Sequence, residues 1–227
     1  TICVGNIYLG GTGKTPTVIK LYEIFKNTKL KVSTAKKFYP DQKDEHIILN
    51  NRSEFITSDN RQKIILKAIE RNYELLIFDD GLQDGRIDYD FKLVCFDSEN
   101  WIGNGFLIPS GPMREKIESL KKYDAVIIKT IDEKFDLTEI NRSIHKINPT
   151  IKIFYSFFKI KNKDEFSLND KFLIFSGIGN NNSFKEILIK NDFNIVDEIV
   201  FPDHFEYTTF NILKILKIAE NKNLKII

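Results

Sequence analysis

Six residues near the amino end carry the most specific chemical signal in the chain. Gly10-Gly11-Thr12-Gly13-Lys14-Thr15 follows a strand-like run and opens a helical pattern. Glycines let a backbone wrap a phosphate chain, with their N–H groups pointing inward beside the positive end of the following helix. In such a loop Gly10, Gly11, Thr12 and Gly13 form the cradle. Lys14 reaches the β- and γ-phosphates of ATP, and the Thr15 hydroxyl ligates Mg²⁺. The pattern departs from G-x-x-x-x-G-K-[ST] only at the first glycine, where Tyr8 stands.

A second signal is the apolar run Leu75–Phe78 that ends in Asp79-Asp80-Gly81-Leu82-Gln83. Ligands of an open parallel sheet gather at the carboxyl ends of its strands, so Asp79 or Asp80 is expected to supply the acidic contact to Mg²⁺. A lone Asp-Asp pair would read as a solvated turn. Together with the glycine loop it reads as metal chemistry. Further on, Gly103-Asn104-Gly105 leads through Pro109-Ser110-Gly111-Pro112-Met113-Arg114-Glu115, expected as an ordered loop running into a helix. There Arg114 could clamp a phosphate or a sugar hydroxyl, although an Arg-Glu pair at a helix start is by itself ordinary surface. Ser176-Gly177-Ile178-Gly179-Asn180 reads equally well as a tight turn, and a histidine placed like His204 is more often a surface residue than a catalyst.

These residues need a scaffold, and the pattern supplies one. Short apolar runs alternate with helical spacing, the signature of parallel α/β units. Strands are predicted at Ile2–Val4, Lys31–Thr34, His46–Leu49, Leu75–Phe78, Leu93–Phe96, Ala125–Ile128, Ile151–Phe158, Phe172–Phe175, Ile195–Val200 and Leu224–Ile227. Helices are predicted at Lys14–Phe25, Asn60–Arg71, Leu137–Ile147, Ser183–Lys190 and Thr208–Ala219. The fold class is α/β: a phosphate-loop NTPase-like parallel-sheet domain over residues 1–150, a polar linker over 151–170, and a smaller, truncated α/β domain over 171–227.

Composition narrows the function. The 227 residues are 42% hydrophobic and 29% charged, which excludes a disordered or fibrous chain. The formal net charge of +2 argues against a nucleic-acid-binding protein. Cys3 and Cys95 sit in apolar runs and read as buried thiols with neither metal spacing nor a disulfide framework. No apolar stretch approaches the roughly 18 residues of a membrane span. The chain opens inside one strand-like run and closes inside another, as a segment of a longer protein would.

With these residues in place the sequence resembles the tetraacyldisaccharide 4'-kinases of lipid A biosynthesis. The resemblance rests on Val4-Gly5-Asn6-Ile7 with Gly10 to Pro16, on Asp79-Asp80-Gly81-Leu82-Gln83, and on Gly103-Asn104-Gly105 with Pro109 to Glu115. It continues through Gly177-Ile178-Gly179-Asn180 and Phe201-Pro202-Asp203-His204. It implies transfer of the ATP γ-phosphate to the 4'-hydroxyl of a lipid-linked glucosamine disaccharide 1-phosphate, giving lipid IVA, with Mg²⁺ as metal. It implies work at the cytoplasmic face of the bacterial inner membrane, peripherally or through an N-terminal anchor outside this sequence, and no obligate protein partner. It further implies that Asp44, in Lys43-Asp44-Glu45, is the catalytic base, that His204 orients it, and that Arg114 and Glu115 contact nucleotide or sugar. The sequence departs from the family where an Arg-Gly-Tyr-Gly stretch is replaced by Lys36-Lys37-Phe38-Tyr39, and where a histidine after Gln83 is replaced by Asp84. Two alternatives come from other classes. A deviant phosphate-loop ATPase acting as a nucleotide-switched dimer would carry a lysine before the paired glycines, where this chain has Leu9. A non-enzymatic binding module would not need the full set Lys14, Thr15 and Asp79.

Overall fold

The computed structural model describes every residue except Asp41, Asp132, Glu133 and His204. The chain folds as two compact units, Thr1–Thr130 with Lys134–Ser156, and Phe157–Ile227 with a short piece that follows Thr130.

The first unit follows the alternation of the sequence. Its elements are β1 (Ile2–Gly5), α1 (Lys14–Lys26), β2 (Val32–Lys37), α2 (Lys43–Arg52), β3 (Phe55–Ser58), α3 (Arg61–Glu70), β4 (Leu75–Asp79), β5 (Phe91–Asp97), β6 (Ala125–Thr130), α4 (Thr138–Ile147) and β7 (Lys152–Phe157). The strands form one sheet in the order β3-β2-β4-β1-β5-β6-β7. β1 lies between β4 and β5 and pairs in parallel with both, with Val4 opposite Asp79 on one side and Leu93 on the other. The chain leaves β1 in one direction and later returns to its other side, so the end of β1 is a switch point where a ligand crevice opens.

Period-2 alternation explains how the sheet is covered. Val4, Ile77, Leu93, Cys95 and Ala125 face one side and pack with Val18 and Tyr22 of α1. Cys3, Ala35, Ile56, Leu76 and Phe78 face the other and pack with Ile64 and Ala68 of α3. Each fully buried aliphatic side chain in these layers contributes about 1.5–3 kcal/mol. The start of α3 is fixed by Asn60, whose side chain accepts a hydrogen bond from the Gln62 amide at 2.7 Å.

The second unit holds β8 (Lys171–Ser176), α5 (Asn181–Lys190), β9 (Asn194–Val200), α6 (Thr209–Lys222) and β10 (Lys225–Ile226), with a parallel sheet in the order β10-β8-β9. Phe172, Ile174, Leu188 and Phe193 form one core layer, and Leu173, Ile215, Ala219 and Leu224 the other.

Three sequence expectations are corrected. His46–Leu49 is helical, inside α2, and the strand of this region is β3 at Phe55–Ser58. A run of three apolar residues cannot distinguish strand from helix. Here Asp44 and Glu45 favour a helix start, Leu49 alone is buried, and Ile47 remains 60% exposed. Next, the polar linker expected over 151–170 does not begin at 151, because Lys152–Phe157 forms the edge strand β7, as the strand expectation at Ile151–Phe158 has it. Finally, Arg114 and Glu115 do not begin a helix. Met113 bridges to Tyr8 and the next helical turn, a 3-10 turn, starts at Ile117.

Candidate active site

The loop between β1 and α1 is held open by its own side chains. Asn6 donates from Nδ2 to Thr12 Oγ1 at 3.0 Å and reaches the Gly10 carbonyl at 3.4 Å. Gly10 and Gly13 have φ of 117° and 83°, conformations that a side chain would strain. The Thr17 amide then bonds to the Gly13 carbonyl at 3.1 Å as α1 begins. Lys14 and Thr15 are therefore the first helical residues, next to amides that have no partner within the helix.

Parallel pairing brings the end of β4 to this loop. The Thr15 hydroxyl donates to Asp79 Oδ2 at 2.8 Å. Asp79 is fully buried, and its Oδ1 has no hydrogen-bond partner. Burial raises its pKa above the usual carboxylate value, against the pull of the Lys36 and Lys14 charges. A buried carboxylate oxygen without a partner beside a threonine hydroxyl fits a hard divalent cation, and Mg²⁺ takes one or two protein oxygens and completes its shell with water and phosphate.

Asp80 points into the same crevice. Its carboxylate accepts from Arg114 NH1 at 3.0 and 3.2 Å. Burial pushes its pKa upward, but the charges of Lys14 and Arg114 outweigh this and hold the carboxyl below its ordinary value. Arg114 is placed by its amide, which bonds to the Ile7 carbonyl at 2.8 Å. Gln83 joins the pieces: its Nε2 donates to the Asn6 carbonyl at 3.0 Å and to Glu115 Oε1 at 2.8 Å. Tyr123 donates to the same Glu115 oxygen at 2.8 Å. The structure thus brings together the loop from Gly10 to Thr15, both aspartates, Arg114 and Glu115.

Asp44 lies on the exposed first turn of α2, a residue before Glu45. Glu45 accepts a hydrogen bond from Lys36 Nζ, and Lys36 also reaches Asp79 Oδ2 at 3.3 Å. Burial lowers the Lys36 pKa, yet Asp79 and Glu45 together hold its ammonium above the ordinary lysine value. The helix that carries Asp44 is in this way tied to the carboxylate beside the phosphate loop. His204 lies outside the described residues.

The sequence reading leaves out several residues that build this site. Lys129, at the end of β6, donates to the Gly11 carbonyl at 3.1 Å and pairs with Asp97 at 2.5 Å. Its methylenes pack under Gly13, with Cδ 3.6 Å from where a Cβ would stand. Lys129 and Asp97 belong to no local motif. They do share one signal, a polar residue at the carboxyl end of an apolar strand.

Comparison with known proteins bears on the family and the fold. The family model described as "Tetraacyldisaccharide-1-P 4'-kinase" matches residues 1–227. The tetraacyldisaccharide 4'-kinase of Pelagibacter ubique is 43% identical over 227 residues, covering 100% of this chain and 72% of that protein. The enzyme of the same name from Rickettsia canadensis is 31% identical over 240 residues, covering 98% and 71%. Among solved structures, the Aquifex aeolicus LpxK in complex with ATP superposes with a TM-score of 0.67 at 22% identity, covering 92% of this chain and 73% of that one, which shows the shared fold. The match over the full chain places this protein in the tetraacyldisaccharide 4'-kinase family.

Proposed function

We propose that this protein is an ATP-dependent kinase that phosphorylates the 4'-hydroxyl of tetraacyldisaccharide 1-phosphate, giving lipid IVA. The observation that carries the reading is the Thr15–Asp79 pair, 2.8 Å apart, under a glycine loop at the switch point of a parallel sheet, in a chain that matches the family throughout.

Phosphoryl transfer asks a protein mainly for positioning and charge compensation. The loop amides and Lys14 hold the β- and γ-phosphates. Thr15 and Asp79, with Asp80 beside them, are the residues that would hold Mg²⁺, which when bound offsets the charge of the phosphate oxygens. Asp44 accepts the proton of the 4'-hydroxyl as it attacks, a step for which an alcohol needs a base in the transition state, and His204 orients that carboxylate. Arg114 and Glu115, fixed by Asp80 and Gln83, line the nucleotide or sugar side.

We further propose that the reaction takes place at the cytoplasmic face of the inner membrane, a reading supported by the lipid-linked substrate of the family. No helix among the described residues is long and apolar enough to cross a membrane. Contact with acyl chains is supported by Phe106 and Ile108, 63% and 50% exposed. They stand on a loop bonded back to Met113, and next to it Leu9, 46% exposed, bonds to Pro112. The test is transfer of label from γ-labelled ATP to a disaccharide 1-phosphate lipid by the full-length protein. Labelled lipid is expected with the native enzyme and not with Lys14→Ala. Equal transfer by both proteins would refute the scheme. ATP hydrolysis and ATP-driven dimerisation without lipid would instead point to the dimeric ATPase.

A further inference from the structure

We infer that Arg61 is a positioning residue for the nucleotide site: its guanidinium clamps the Asp80–Gly81 turn and so sets where the Asp80 carboxylate points. Arg61 is the first residue of α3 and only 7% exposed. Its Nε and NH2 donate to the Asp80 carbonyl at 3.3 and 3.0 Å, and its NH1 donates to Asp84 Oδ2 at 3.1 Å.

The residue it grips is strained. Asp80 has φ of 61°, in the left-handed region that an L residue enters at a cost. Such a conformation persists when the surroundings over-determine it, and here each polar group of Asp80 is held. The amide donates to the Val4 carbonyl at 2.9 Å, Arg61 holds the carbonyl, and Arg114 holds the carboxylate. The clamp also accounts for the next residue. A Cβ on Gly81 would lie 3.0 Å from Arg61 Nε and 2.6 Å from the Tyr89 hydroxyl, so the guanidinium occupies space that only glycine leaves open.

Asp84 serves as the anchor behind Arg61. It is itself gripped by Arg86 at 2.7 and 2.8 Å. Arg61 can therefore be replaced without leaving Asp84 unpaired. Lysine cannot reproduce the clamp, because three donors in one plane reach two different acceptors.

The inference rests on the kinase reading only for its consequence, the hold on Mg-ATP. The experiment compares native protein, Arg61→Met and Arg61→Lys by calorimetric binding of ATP with Mg²⁺ and with EDTA, alongside lipid phosphorylation. Loss of a residue that orients a metal-site carboxylate typically weakens metal affinity about 10–100-fold. Both variants are therefore expected to bind Mg-ATP at least about tenfold more weakly. Metal-free ATP binding and the KM for the lipid should stay near native. A purely structural role would lower the unfolding temperature and leave the Mg²⁺ dependence unchanged. If Arg61→Met does not fold, Arg61→Lys decides, and native Mg-ATP affinity in that variant overturns the inference. Native protein that binds Mg-ATP but labels no lipid refutes the kinase reading and leaves the comparison of the Arg61 variants valid.

Discussion

Replacing Lys129 by methionine tests whether the phosphate loop is supported from below by an ion pair. The side chains of Lys129 and Asp97 are 11% and 4% exposed, and their charges lie 2.5 Å apart. Removing one partner of a buried pair costs about 3–5 kcal/mol, because the other charge is left behind, whereas removing both is often close to neutral. For a chain of this size about 1 kcal/mol shifts the unfolding temperature by roughly 2–4 °C, so Lys129→Met is expected to lower it by roughly 6–20 °C. Adding Asp97→Asn should restore most of that loss. Nucleotide binding should not follow stability. Both the single and the double variant lack the ammonium on the Gly11 carbonyl, a charged hydrogen bond of about 1.5–3 kcal/mol. ATP affinity should therefore fall about ten- to a hundredfold in both. The assay is calorimetric unfolding and ATP titration of the four proteins in the cycle. The reasoning is refuted if the two stability losses simply add, or if the double variant binds ATP like the native protein.

Asp44→Asn is expected to lower phosphate transfer by about 10²–10⁴-fold with little change in ATP affinity, measured by steady-state kinetics. Lys36→Met removes the ammonium shared by Asp79 and Glu45 and should cost about 3 kcal/mol in denaturant unfolding, while Glu45→Gln, which keeps the Lys36–Asp79 contact, should cost less than half as much. Arg86 and Arg61 hold the Asp84 carboxyl far below its usual pKa. The stabilisation this represents is complete above the unfolded carboxylate value of about 3.9 and is lost as pH falls below it toward the folded value. Asp84→Asn should accordingly flatten the acid limb of the stability curve, which unfolding at a series of pH values would show.

The chemistry written in contiguous residues was legible in the sequence. Gly10 to Thr15 needs glycines, a lysine and a hydroxyl at fixed spacing, and an apolar strand ending in Asp79-Asp80 announces a sheet edge that faces ligand. The supports of the site were not. Lys36, Arg61, Asp97 and Lys129 lie far apart in the chain and meet only because parallel strands align their carboxyl ends, and register is not visible from composition. A polar residue closing an apolar run was the available clue at Asp97 and Lys129. Arg61 offered none, since its role depends on a strained turn 19 residues later. Helix α2 was misread for a related reason: it buries little beyond Leu49, so it carries no apolar stripe to announce it.

The central claim is that the glycine loop delivers a phosphate from ATP to a sugar hydroxyl. Its most direct test is to locate the phosphate in the product. Full-length protein, ATP, Mg²⁺ and tetraacyldisaccharide 1-phosphate are incubated together, and the lipid is examined by mass spectrometry and phosphorus NMR. One added phosphate, as a monoester at the 4' position, is predicted with the native protein and absent with Lys14→Ala. Unmodified lipid, or phosphate attached to the existing 1-phosphate, would contradict the account.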